Sequence, residues 1–272
     1  MTAAATPHTL LEAYDAQLRR EAELTGASDV TVDGPLVRGI FDRGGFVSYR
    51  DLDGLTGSAL DELIERTIAY FRDETAVPEF EWKTRGHDAP ADLAEHLMAA
   101  GLTPDPEETV MMGEAAALAV PVALPEGVTV RRIDRHSTTF LDDARRSAAM
   151  QIRVFGGGPS SASLIKLLSG PDDLTQAWIA EADGEAICAG RLEIVPGTEF
   201  AGLWGGGTLE PWRGRGIYRA LVSARAGWAV ERGVRYLQSD CTPMSRPILE
   251  RSGLSRVTTT TPFMWRRSPQ AG

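Results

Sequence analysis

Cysteine and lysine are both scarce, with two of each in 272 residues: Cys188 and Cys241, Lys83 and Lys166. Two cysteines far apart, in no metal-ligand spacing, argue against a disulfide framework and against a zinc site. The four histidines, His8, His87, His96 and His136, are scattered and form neither a metal set nor a triad, so no metal is expected. Basic charge is also short: 28 basic residues face 38 acidic ones, a net charge of −10. A general nucleic-acid binder needs a basic surface to neutralise phosphates, so no nucleic-acid partner is expected. Long apolar runs are missing too. A stretch such as Ala115 to Leu124 falls short of the roughly 20 residues that span a bilayer. Met1 to His8 lacks the basic region and apolar core of an export signal, so the expectation is a cytoplasmic protein without a membrane partner.

What is present suits a folded protein with a proper core: 43% hydrophobic and 24% charged residues. The length suggests two domains. Val120 to Gly127, V-P-V-A-L-P-E-G, has no helical or strand period and carries two prolines and a glycine. It divides the chain into an N-terminal domain over 1–120, a linker over 121–127 and a C-terminal domain over 128–272.

The C-terminal half alternates strands and helices. Val128 to Ile133 reads as a strand, Phe140 to Phe155 as a helix broken at Gly156. Trp178 to Ala182 and Ala186 to Val195 form a hairpin about Asp183-Gly184, and Phe200 to Leu209 follows as a strand. A helix from Ile217 to Arg232 keeps Ile217, Leu221, Ala224 and Trp228 on one face. Val234 to Cys241, Ser245 to Ser252 and Phe263 to Trp265 read as strand, short helix and last strand. In the N-terminal half, Leu36 to Ile40 and Gly45 to Tyr49 suit strands, and Ser58 to Glu74 a helix with Ser58 and Asp61 placed as a capping box. Glu79 to Lys83 alternates, and Ala91 to Ala100 suits a second helix. The expected fold class is α/β (α+β): a mixed, mostly antiparallel sheet flanked by helices.

The informative stretch is Thr208 to Leu221, T-L-E-P-W-R-G-R-G-I-Y-R-A-L. A strand leads into a glycine-rich turn that opens directly onto a helix. Gly214 and Gly216 permit close backbone approach, and the amides of Gly214, Arg215, Gly216, Ile217 and Tyr218 lie at the positive end of the helix dipole. That is a pyrophosphate site, to which Arg213 and Arg215 add charge. A P-loop would need Gly-Lys-Ser/Thr, which is absent, and a dinucleotide fingerprint would need glycine where Arg219 stands.

The remaining pattern, R-x-x-G-x-G/A, resembles the GCN5-related N-acetyltransferase (GNAT) superfamily. It matches at Arg213 and Gly216, with Tyr218 where Gly or Ala is commoner. The resemblance covers Val128 to Trp265, including the hairpin, the loop and the tail S-R-P-I-L-E-R-S-G-L, whose Gly253 and Leu254 match the family's closing pair. It implies an acyl-CoA-dependent enzyme using acetyl-CoA, with pantetheine amides bonded by the backbone of Thr208 and Leu209. It further implies direct attack by an amine, here of a small molecule. The family's usual acid is a Tyr, and Leu249 occupies that position; the acid is then Ser245, or there is no dedicated acid. As base, Asp240 at a strand end is the first choice and Glu193 the second. A non-catalytic acyl-CoA sensor or scaffold is the alternative that Leu249 favours. Cys241 reads as a small buried hydrophobe, not an acyl carrier. The N-terminal half looks like a faded copy of the same fold. Its equivalent loop, R-D-L-D-G-L-T-G, carries Asp51 and Asp53, which would repel a pyrophosphate.

Overall fold

A computed structural model of the chain describes residues 5–158, 160–170 and 173–268. The chain forms two compact units, each assembled from separate stretches of sequence. One comprises Thr6–Val110, Asp240–Arg246 and the described chain from Arg256; the other comprises Met111–Ser239 and Pro247–Ser255.

The first unit opens with helix α1 (Pro7–Gln17), followed by strands β1 (Asp29–Asp33), β2 (Leu36–Phe41) and β3 (Gly44–Ser48). Next come α2 (Gly57–Ala69), β4 (Glu79–Arg85), α3 (Leu93–Ala99), the two-residue β5 (Thr103–Pro104) and β6 (Glu108–Glu114). Strands β1 to β4 lie in order, antiparallel except for the parallel β3–β4 pair. The last strand, β12 (Ser255–Arg266), runs antiparallel to β4, with Phe263 opposite Trp82 and Trp265 opposite Phe80. The expected strand at Phe263 to Trp265 is thus one part of a twelve-residue strand. Threonines 258–261 carry little hydrophobic signal, but their β-branched side chains suit a pleated strand.

Alternation along β4 buries Phe80 and Trp82 among Leu60, Leu63, Ile64, Phe71 and Leu97. Phe71 stacks on Phe80 with ring centroids 4.3 Å apart. Helix α2 supplies Leu60, Leu63, Ile64 and Thr67 to this core at helical spacing. Its cap differs from the expected capping box: the N-cap residue is Thr56, without a side-chain cap bond, and Asp61 instead pairs with His96 Nδ1 at 2.5 Å. A π-helical turn at Tyr70–Glu74 ends the segment.

The second unit contains a short α4 (Ala115–Leu118), β7 (Thr129–Arg132), α5 (Phe140–Phe155), α6 (Ser161–Leu168), β8 (Thr175–Ala182) and β9 (Glu185–Ile194). Then follow β10 (Phe200–Thr208), α7 (Ile217–Val230), β11 (Tyr236–Cys241) and α8 (Arg246–Ser252). Its strands run in the order β11-β10-β9-β8-β7, antiparallel except for the parallel β10–β11 pair. The hairpin between β8 and β9 turns at Asp183 and Gly184, with φ of 50° and 78°. Two successive left-handed residues are what an Asp-Gly hairpin turn requires. Helix α5 spans the expected Phe140 to Phe155 and ends at Gly156, whose φ of 72° gives the left-handed cap.

A buried ionic group ties α5 to this sheet. The carboxylate of Asp143, in the first turn of α5, accepts from Arg131 Nη1 and Nη2 at 2.8 and 2.7 Å, from Arg146 Nη2 at 2.6 Å and from Thr139 Oγ1 at 3.0 Å. Glu181 accepts from the same two arginines at 2.6 and 2.7 Å. The Arg131 hydrogen bonds, joined by those of Arg146 and Thr139, outweigh burial and hold the Asp143 carboxyl down at about 2. A depressed carboxyl pKa stabilises the fold above the unfolded value and loses that contribution as pH falls through the folded value. Thermal unfolding of the wild type should therefore weaken between about pH 4 and about pH 2. In Asp143→Asn this component of the acid slope should vanish, with lower stability at neutral pH. An unchanged acid slope in the variant would show that Asp143 is not the responsible group.

Candidate functional site

Strand β10 contains three consecutive glycines, 205–207, and its pairing with β9 shifts there. Trp204 faces Arg191, but Gly207 faces Ala189, so Gly205 and Gly206 together oppose Gly190. This is a β-bulge, and Gly205 takes the left-handed conformation at φ 58°. Side chains approach the bulge so closely that a Cβ would have no room. At Gly205 it would sit 2.6 Å from Gln151 Nε2 and 3.2 Å from Arg191 Nη1; at Gly207 it would sit 2.9 Å from both Val154 and Phe155. At Gly206 it would meet the Tyr218 hydroxyl at 2.7 Å. Since successive strand residues face opposite sides, α5 covers one face of the bulge and α7 the other.

The parallel pairing of β10 with β11 covers Phe200 to Gly202 against Tyr236 to Gln238. One residue on, Ser239 Oγ donates to the Leu203 carbonyl at 3.0 Å. The ladder thus stops just before the bulge. Farther along, Thr208 Oγ1 bonds Cys188 Sγ at 3.1 Å, and burial raises that thiol to about 11, where it is unreactive.

The loop after β10 is a 3₁₀ turn (Glu210–Trp212) followed by Arg213 to Gly216. Gly214 and Gly216 have φ of 73° and 79°, which only glycine adopts without cost. Gly216 is the N-cap of α7, a fourteen-residue helix whose start carries no side-chain cap. A Cβ at Gly214 would meet nothing within 4 Å. The helix therefore begins with uncapped amides behind an open, left-handed turn, a geometry suited to an anion. Arg215 stacks over Trp212, 5.1 Å from its ring centroid.

The structure also gives two expected ligand-facing groups other partners. Arg213 Nε donates to the Thr208 carbonyl at 3.1 Å, fastening the loop to its own strand. Leu209 N–H donates to the Ile187 carbonyl at 2.9 Å, within the sheet.

Of the acid–base candidates, Glu193 lies in the same unit as the loop, on β9, and accepts from Arg191 Nε at 2.5 Å. Arg191 is the residue whose guanidinium lies against Gly205. Asp240 and Ser245 belong to the other unit. There Asp240, its side chain 4% exposed, accepts from Lys83 Nζ at 2.5 Å. Behind this pair lie Glu23, bonded to Arg85, and Tyr14, which accepts from Arg85 Nε at 3.1 Å. Burial pulls the Lys83 ammonium down, but the Asp240 carboxylate, with Tyr14 and Glu23, reverses this and leaves its pKa above the ordinary lysine value. Burial raises the carboxyls of Glu81 and Glu108, and the Asp240 charge adds to the rise. Ser245 opens the turn before α8, with its hydroxyl 3.5 Å from Thr242 Oγ1. Leu249, in the position where the family resemblance leads one to look for tyrosine, is buried. In the first unit, the loop between β3 and α2 closes on itself: the Asp51 carboxylate accepts from the Asp53 amide at 3.0 Å.

Residues 150–248 match the family model described as "Acetyltransferase (GNAT) family". That stretch, within the C-terminal half, is similar to a GNAT domain. Among the solved structures similar to the whole chain are proteins of the same name. A GCN5-related N-acetyltransferase from Kribbella flavida has a TM-score of 0.69 at 18% identity, covering 92% of this chain and 95% of that one. One from Sphaerobacter thermophilus has 0.62 at 18%, covering 98% and 95%. A tandem GNAT protein from the clavulanic acid biosynthesis pathway has 0.58 at 12%, covering 98% of both chains. At such identities the likeness is one of fold, and it is consistent with a tandem GNAT arrangement. No curated protein matches the chain.

The residues around the bulge, Gln151, Arg191 and Tyr218, were not singled out by the sequence as its neighbours. The available signal was the glycine triplet itself, since glycine inside a strand marks a bulge or a close approach. Two outcomes are expected. Gly206→Ala should destabilise the protein by about 1–3 kcal/mol by forcing the Tyr218 ring aside. Combining it with Tyr218→Ala should cost less than the sum of the two single changes in urea unfolding; strict additivity would show that the two do not meet. Lys83→Met should cost about 3–5 kcal/mol, because it strands a buried carboxylate, and Asp240→Asn added to it should restore part of the loss.

Proposed function

We propose that the chain transfers an acetyl group from acetyl-CoA to the amine of a small molecule. The observation that carries this reading is the uncapped, left-handed turn Gly214–Gly216 at the start of α7, placed directly after a bulged strand. The pyrophosphate of acetyl-CoA would accept from the amides of Gly214 to Tyr218, with Arg215 adding charge, and Arg213 would keep the loop in shape through Thr208. The pantetheine arm would run back along β10, where Thr208 and Leu209 line its path. The N–H of Leu209 already serves the sheet.

In the reaction, the amine nitrogen bonds to the thioester carbon and the C–S bond breaks with its electron pair going to sulfur. The nitrogen then gives its proton to a base. Glu193, paired with Arg191 beside the bulge, is the carboxylate this reading favours as base, directly or through water. Asp240 acts as the structural partner of Lys83, and it and Ser245 belong to the other unit. Thiolate is a good leaving group, alkyl thiols being far more acidic than alcohols (about 8.5 for a cysteine side chain), so a buried Leu249 is compatible with catalysis. The same residue supports a second reading, a non-catalytic acyl-CoA sensor or scaffold.

The test is thermal unfolding with and without acetyl-CoA, in the wild type and in Gly214→Asp. Aspartate tolerates the left-handed backbone better than most residues and sets a carboxylate in the anion cradle. At 100 times the dissociation constant, acetyl-CoA should add about 2.7 kcal/mol to the wild type and nothing to the variant. CoA release on adding amines then separates enzyme from sensor. A wild type that acetyl-CoA does not stabilise overturns both readings.

A further inference from the structure

Arg225, on α7, is 0% exposed. Its Nε donates to the Leu221 carbonyl at 3.3 Å and its Nη1 to the Arg191 carbonyl at 3.0 Å. Among the described residues Nη2 has no hydrogen-bond partner, and no carboxylate pairs with the group. A guanidinium stays protonated, so a full positive charge is present and uncancelled. Burying an unpaired charge is costly, and apolar side chains of similar volume often replace buried ionic groups without loss of stability. The ionic groups around Asp143 and Lys83 are paired; this one is not. Gly190, which lies opposite the bulge on β10, defines where the charge sits. A Cβ at Gly190 would stand 2.9 Å from Arg225 Nη1, and 3.2 Å from both Arg225 Cζ and Gly206 Cα. The guanidinium is therefore directly behind the bulged backbone, on its α7 face. Arg191, against Gly205, is matched by Glu193 and adds no net charge. The Arg225 field also reaches into β9: burial raises the Cys188 thiol, and the arginine opposes that rise.

We infer that Arg225 is a positioning residue whose buried charge polarises the thioester carbonyl of the donor from behind the β10 bulge, without touching it. This rests on the acyl-transfer reading above, in which the arm runs back along β10 and the base lies beside the bulge. When the amine nitrogen bonds to the thioester carbon, the C=O pair moves onto oxygen. That oxygen carries negative charge until the C=O bond re-forms and sulfur departs with the C–S pair, while the nitrogen gives its proton to the base. A fixed positive charge stabilises the oxyanion more than the neutral thioester, and only such a difference accelerates the step. Contact is not needed, because the interaction falls only as the inverse of distance and the packed strand between excludes the water that would screen it. A stability cost kept beside a reacting centre is the usual mark of an electrostatic role. The glycines at 190 and 206 serve the same end, since they let the guanidinium come up to the backbone.

The experiment reads the carbonyl itself and needs no acceptor. Infrared difference spectra are taken of the full chain with acetyl-CoA, unlabelled and carrying carbon-13 at the thioester carbonyl, so that this one band is isolated. Wild type, Arg225→Met and Arg225→Gln are compared, each with thermal unfolding in the presence and absence of acetyl-CoA. Met keeps the apolar stem and removes the charge; Gln removes the charge but keeps an N–H donor. In the wild type the band of bound acetyl-CoA should lie below that of free acetyl-CoA, as a polarised carbonyl requires. In both variants it should return most of the way to the free position, while acetyl-CoA still raises their unfolding temperature. Three outcomes overturn the inference. A wild-type band at the free position shows that nothing polarises the carbonyl. A band as low in Arg225→Met as in wild type makes Arg225 a staple between α7 and β9. A band that stays low in Arg225→Gln assigns the effect to a hydrogen bond and not to charge. Where Arg225→Met does not fold, Arg225→Gln decides by the same criterion. Failure of acetyl-CoA to stabilise the wild type removes the acyl-transfer reading, and this inference with it; a stabilised wild type with an unshifted band removes this inference alone.

Discussion

Everything about the candidate site depends on the absence of side chains at three adjacent positions of β10. Gly205, Gly206 and Gly207 let α5 and α7 close on a single strand from both faces, at distances where one methyl group would collide with Gln151, Tyr218 or Phe155. The same absence permits the bulge, because Gly205 adopts a left-handed backbone within a strand. The bulge interrupts the ladder to β9, which resumes at Gly207, while the ladder to β11 has already ended, so β10 reaches its loop paired on one side. Gly190 across the bulge serves the same packing: a Cβ there would press on the buried Arg225 and on Gly206 itself. A strand that is weak by propensity is thus held by the side chains packed on it.

How far this was legible in the sequence depends on whether the information is local. The end of helix α5 was readable from Gly156, and the β8–β9 hairpin from Asp183-Gly184; both signals lie within a few residues of what they specify. The loop from Gly214 to Gly216 belongs to the same class, since glycine spacing before a helix encodes backbone geometry directly. What escaped was non-local. Helix α1 and strand β1 have weak internal patterning and draw their order from the sheet and core they pack against. Ser58 and Asp61 matched a capping box by spacing, yet Asp61 found His96, thirty-five residues away in sequence, and Thr56 took the cap. The partners of the candidate bases are of this kind too. Nothing near Asp240 in sequence announces Lys83, which is 157 residues distant.

Charge is handled differently in the two units. In one, Asp143 and Glu181 each receive two arginines, and the group is knitted by forked hydrogen bonds with little left over. In the other, Glu23, Lys83, Arg85 and Asp240 share partners, with Glu81 and Glu108 raised by burial beside them. Buried ion pairs of this kind add little net stability over well-packed apolar groups, but losing one member is costly. They specify which arrangement forms more than they strengthen it. A carboxylate so engaged is first a structural element, whatever further role it takes.

The confinement of Lys83 has a chemical consequence. Acyl thioesters modify accessible lysine amines without any enzyme. The chain carries two lysines. One of them is buried against Asp240 as a cation, with its lone pair withheld; the other, Lys166, is exposed on α6. With arginine carrying nearly all the positive charge, whose guanidinium stays protonated and is a poor nucleophile, the chain offers such reagents few reactive lysine amines.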